Sequence, residues 1–144
     1  MDSSVFLVHF LEGRKELVEF FELNVGKLVT SGLVINEVMF ILMKEHTKQE
    51  LGLKEHYSIL SAMKGEAFKK AFANASIFLE LMEAIRCIIL SDANYSDMVE
   101  MMNKYSLLPN DALIAATCKH YEIKKIATFD KDFERVDFLE VIKP

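Results

Sequence analysis

Four acids, Asp2, Glu37, Asp111 and Asp130, each stand beside an apolar or strand-like run, and no paired base accompanies them. Carboxylates gathered without a base point to a divalent cation, because hard cations take oxygen ligands. Such a cation activates water against a phosphodiester, so the chemistry suggested is that of a metal-dependent nuclease. Asp111 falls in the first turn of a helix opened by Pro109-Asn110, where free N–H groups and the macrodipole favour an ionised carboxylate. Its neighbours Leu107, Leu108, Ile114 and Ala115 are apolar, so it is expected to point inward. Glu37 is flanked by Leu33, Val34, Phe40 and Ile41 with no Lys or Arg within a turn. It is either a ligand or a stripe-edge residue reaching solvent, since an unpaired buried carboxylate is strongly penalised. Asp130 and Asp132 share one turn after a strand, a pattern that a plain Asx turn also produces. The quartet as a set, rather than any single member, carries the expectation.

Hydrophobic periodicity supplies the elements that must position these acids. Val5 to Leu11 and then Leu17, Val18, Phe20 and Phe21 predict two short helices separated at Gly13, followed by a strand over Lys27 to Thr30. Ser31-Gly32 opens a helix whose apolar positions Val34, Ile35, Val38, Ile41 and Leu42 keep the period of 3.6. Lys48 to Ala84 is helical in character and predicts a helical hairpin. Ile85 to Leu90 is a continuous apolar run and predicts a strand buried on both faces. Met98, Met101, Met102 and Tyr105 mark the next helix, and Pro109 begins another that runs to Tyr121. Lys125 to Phe129 predicts a strand ending at Asp130, and Phe138 to Ile142 a last strand at an edge. Alternation of this kind implies an α/β fold, a mostly parallel central sheet with helices on both faces and right-handed crossovers. Ligands in such folds bind beyond the carboxyl ends of the strands.

Composition narrows the class. With 144 residues, 51% of them hydrophobic, the chain is expected to form a single domain over 1–144 around one core. Two prolines and five glycines leave no linker or disordered tract. Cys87 and Cys118 stand apart, without disulfide or zinc spacing, which fits a reducing cytosol. No basic leader or bilayer-length apolar run is evident, so a cytoplasmic protein with no membrane partner is expected. A net charge of −5 argues against a broad electrostatic grip on nucleic acid, yet it is compatible with a nuclease whose acids are committed to a cation.

The motifs Asp2-Ser3-Ser4-Val5-Phe6-Leu7, Val34-Ile35-Asn36-Glu37-Val38, Leu108-Pro109-Asn110-Asp111-Ala112-Leu113-Ile114-Ala115-Ala116-Thr117 and Ile126-Ala127-Thr128-Phe129-Asp130-Lys131-Asp132-Phe133 resemble the four blocks of PIN-domain nucleases. The likeness spans essentially the whole chain and is nearest to VapC-type toxins. It implies a Mg²⁺- or Mn²⁺-dependent endoribonuclease acting on RNA, usually a homodimer, held in check by a cognate antitoxin protein. Asp2, Glu37, Asp111 and Asp130 match the family's catalytic and metal-binding acids. Ser4 and Thr128 match supporting hydroxyls, and Asp132 a frequent extra carboxylate. There is one departure. The family carries a short apolar strand ahead of the first acid, whereas only Met1 precedes Asp2. Either the true start lies upstream, or another segment takes that place, or the likeness fails at this block.

Lys131 and Arg135, next to the fourth acid, are the expected contacts for an RNA backbone, against the alternative of solvated charges. His9, His46, His56 and His120 lack ligand spacing and are read as surface or packing residues. Two rival classes remain: a PIN-fold module that binds RNA or protein without catalysis, and a phosphatase-like hydrolase. Asp130-Lys131-Asp132-Phe133-Glu134 lacks the Thr two places past its second Asp that the haloacid-dehalogenase pattern expects.

Overall fold

Residues 1–144 are all described in a computed structural model, which contains seven α-helices, one 3-10 turn and four three-residue strands. In chain order these are α1 (Ser3–Glu12), α2 (Lys15–Leu23), β1 (Val29–Ser31), α3 (Gly32–Leu51), α4 (His56–Ala62), α5 (Gly65–Ala84), β2 (Ile88–Leu90), α6 (Tyr95–Tyr105), α7 (Pro109–His120), β3 (Lys125–Ala127), the 3-10 turn Lys131–Arg135 and β4 (Glu140–Ile142). Local signals set most boundaries. The Asp2 carboxylate accepts from the Ser3 and Ser4 amides and starts α1, and Pro109 sits at the head of α7. Gly52, in the left-handed region at φ 64°, ends α3 and breaks the expected long hairpin into α3, α4 and α5.

Both strand pairings are parallel: β1 with β2, and β3 with β4. Met1 and Asp2 lie between the two pairs. The Met1 nitrogen donates to the Val29 carbonyl, the Thr30 hydroxyl donates to the Met1 carbonyl at 3.0 Å, and the Asp2 amide donates to the Ala127 carbonyl at 3.1 Å. The centre of the sheet is therefore a two-residue bridge between β1 and β3, with β2 and β4 outermost. Beside Met1, between β1 and β3, lies a cavity of about 460 Å³ whose lining includes Phe20, Leu28, Val29, Ile123, Ala127 and Ile142.

The core is one cluster. Phe6 is fully buried, stacked on Phe21 and edge-on to Phe78 at a centroid separation of 5.0 Å, tying α1 to α2 and α5. From α5, Ala71, Ala75, Phe78 and Met82 face inward at helical spacing. Met101 and Tyr105 are buried, with Met98 and Met102 packed half-buried against the same cluster, so the methionine stripe belongs to the core.

One expectation is corrected. The apolar run Ile85 to Leu90 is not a strand buried on both faces. Ile85 closes α5, Arg86 turns the chain at φ 51°, and only Ile88–Leu90 pairs, with Ile88 53% and Ile89 59% exposed. An edge strand has one neighbour, and apolar composition does not reveal how many neighbours a strand acquires.

Two substitutions separate these environments. Phe6→Ala is expected to cost about 3–5 kcal/mol by leaving a cavity among rings. Ile89→Lys is expected to stay within about 0.5 kcal/mol because its side chain already meets water. Urea unfolding of both variants checks the pair.

Candidate active site

Each acid arrives from a different element. Asp2 precedes α1, Glu37 lies in the second turn of α3, Asp111 in the first turn of α7, and Asp130 follows β3 as the cap of the 3-10 turn. Parallel strands with helical returns bring these points to one end of the sheet, because every strand's carboxyl end faces the same way.

Asp2 is 4% exposed and extensively bonded. Its Oδ1 accepts from the Ser3 amide at 2.7 Å, and its Oδ2 accepts from the Ser4 hydroxyl at 2.6 Å and the Thr128 hydroxyl at 2.7 Å. Thr128, fully buried, in turn accepts from the Asp130 amide at 2.9 Å, and the Ser4 hydroxyl accepts from the Phe129 amide at 3.0 Å. The two hydroxyls thus form a chain that locks the first acid to the loop bearing the fourth. Asp130 Oδ1 accepts from the Asp132 amide at 2.8 Å, so the loop curls and brings Asp132 back toward Asp130.

One carboxylate oxygen from each of Asp111, Asp130 and Asp132 falls within 4.8 Å of the others, and all three residues are half-buried. Glu37, half-buried and in no ion pair, and Asp2 stand close enough to act electrostatically on Asp111 without belonging to that tightest trio. Burial first, then repulsion from Asp130, Asp2, Asp132 and Glu37, pushes the Asp111 carboxyl up to about 6. The helix N-terminus was expected to keep Asp111 readily ionised; here desolvation and four like charges outweigh it. A group of half-buried carboxylates, mutually repelling, has the oxygen chemistry of a divalent-cation site, and the residues present fit such an ion.

The basic residues are differently placed. Arg135 pairs with Asp132 at 2.6 Å and donates to the Ser106 carbonyl at 3.1 Å, so its guanidinium braces the 3-10 turn. Lys131 is exposed on the same turn. Arg14, which no sequence signal singles out, pairs with Glu12 and lies 5.2 Å over the ring of Phe129, the residue before Asp130. Nothing local links residues 14 and 129, so only the fold reveals that contact. The histidines lie away from the acids; His9 packs edge-on against Phe10 and Phe21. Burial raises both thiols, Cys87 to about 11, which keeps them neutral and unsuited to metal binding.

A small parallel α/β domain with carboxylates converging at the carboxyl ends of its strands defines a class of oxygen-ligand metal sites. The chain belongs to the PIN domain family, whose profile matches residues 1–139. It is 36% identical to Ribonuclease VapC2 of Methanocaldococcus jannaschii over 146 residues, covering 99% of this chain and 91% of that protein. It is 32% identical to Ribonuclease VapC6 of the same organism over 152 residues, covering 99% of this chain and 95% of that protein.

Two measurements probe the site's electrostatics. The folded-state pKa of Asp111 lies above its ordinary value of 3.8, so this group lowers stability as pH rises from about 4 to about 6 and has a constant effect beyond. With chelator present, Asp111→Asn is therefore expected to raise Tm at pH 7 by a few degrees and to leave it unchanged below about pH 4, as thermal unfolding across pH will show. Thr128→Val, which strands the Asp130 amide, is expected to cost about 1–3 kcal/mol in denaturant unfolding.

Proposed function

We propose that residues 1–144 form one Mg²⁺- or Mn²⁺-dependent endoribonuclease domain, the toxin of a toxin–antitoxin pair. The observation that carries this is the convergence of Asp111, Asp130 and Asp132, with Asp2 and Glu37 beside them, in a chain whose relatives are called ribonucleases. Asp2, Glu37, Asp111 and Asp130 would hold the cation, and Asp132, which the loop folds into the same group, would join them. Once bound, the ion supplies positive charge against the phosphate and lowers the pKa of water. Ser4 and Thr128 keep Asp2 oriented by donating to its Oδ2.

This chain's remaining tasks are binding and orientation. With a net charge of −5, RNA approaches an unfavourable field unless the acids are neutralised, so substrate binding and cation binding are coupled. Lys131 is free to meet a phosphate beside the acids. Arg135 contributes chiefly by holding Asp132, and Arg14 offers a second cationic contact across Phe129. No protein nucleophile is required. No helix is long and apolar enough to cross a membrane. Homodimer formation and an inhibitory antitoxin complete the reading.

Cleavage of RNA by the purified protein tests it. Activity is expected with Mg²⁺ or Mn²⁺ and none with chelator, and Asp111→Asn or Asp130→Asn is expected to lower kcat/KM by at least about a hundredfold. Both variants should keep the parent's circular dichroism. Equal cleavage by parent and variants would remove these acids from the chemistry.

A further inference from the structure

Outside the acids themselves, two adjacent residues after β2 grip α3 and α7, the helices that carry Glu37 and Asp111. Asp92 Oδ2 accepts from the Leu33 amide at 3.0 Å, and the next residue, Ala93, donates its amide to the Thr117 hydroxyl at 3.0 Å. Leu33 is in the first turn of α3, one turn before Glu37; Thr117 lies on α7, downstream of Asp111. The Thr117 hydroxyl also donates to the Leu113 carbonyl at 2.8 Å, which fixes its orientation.

The start of α3 is unusual in a way that points to Asp92. Ser31 occupies the cap position, yet its side chain makes no capping bond and its Oγ is buried without a partner. The helix is capped instead by a carboxylate from the neighbouring strand's loop. Gly32 permits this approach, because a Cβ there would stand 3.0 Å from Asp92 Oδ2. A carboxylate accepting from a free first-turn N–H forms a charge-assisted bond aligned with the helix dipole.

We propose that Asp92 is a positioning residue: capping α3 from the β2 loop while Ala93 holds α7, it fixes Glu37 relative to Asp111. This role deepens the nuclease reading above and rests on it. In the full chain, Asp92→Ala is expected to weaken Mn²⁺ binding, followed through the free-ion paramagnetic resonance signal, about tenfold. It should raise the Mn²⁺ concentration for half-maximal RNA cleavage in step and speed Leu33 amide hydrogen exchange at least about fivefold. Asp92→Asn keeps an acceptor oxygen and is expected to restore most of all three readouts. Gly32→Ala, which crowds the carboxylate, should weaken Mn²⁺ binding in the parent and add nothing in the Asp92→Ala background. Parent-like Mn²⁺ affinity and Leu33 exchange in Asp92→Ala would overturn the proposal. So would an Asn variant as impaired as the Ala variant, since charge and not the cap would then matter. A parent that binds Mn²⁺ yet cleaves no RNA would sink the nuclease reading alone, leaving Mn²⁺ affinity and amide exchange to decide on Asp92.

Discussion

Mutual repulsion among carboxylates held at one end of a small sheet is the constraint around which this molecule is organised. Burial first, and then the like charges of Asp130, Asp2, Asp132 and Glu37, raise the pKa of Asp111. The surroundings keep the acids together anyway. Asp2 is bonded through both oxygens, Asp130 is pinned by the curled loop, and Arg135 braces Asp132 from outside. A site assembled against its own electrostatics is one that a divalent cation stabilises on arrival.

Rigid elements supply the force that resists this repulsion. α1 begins at an acid and is anchored by Phe6 in the aromatic cluster, while α7 begins one turn ahead of a stretch in which Ala112 and Ile114 through Cys118 are all buried. The apolar core thus reaches to within a residue or two of the charges. Burial energy at those positions offsets the electrostatic strain next door.

The residues readable from sequence were those whose signals are local. The helix over Val5 to Leu11, Pro109 ahead of Asp111 and the Asp130–Asp132 turn each depend on a few neighbours, and each stands where periodicity and turn chemistry placed it. What depends on distant partners was hidden. The exposure of Ile88 and Ile89 follows from β2 lying at an edge, a matter of how many strands join it. The raised pKa of Asp111 follows from its burial and from four acids on other elements, and the stacking of Arg14 on Phe129 from the meeting of opposite ends of the chain. Asp132 is expected from sequence as an extra, supporting carboxylate; how near it stands to Asp111, with one oxygen of each within 4.8 Å, depends on the tight curl after β3.

The two-residue bridge at the sheet's centre ties chemistry to mechanics. The Asp2 peptide supplies a rung of the ladder to β3, while its side chain accepts from the Thr128 hydroxyl at 2.7 Å, two residues before Asp130. Contacts to β1 pass through Met1, whereas Asp2 bonds to Ala127 and Thr128 on the β3 side, so a fluctuation that opens β1 leaves the first acid with the loop that bears the fourth. Substitutions at Ala127 or Thr128 would therefore disturb the spacing of the acids, while those at Val29 or Thr30 would be buffered by the single residue between them and Asp2.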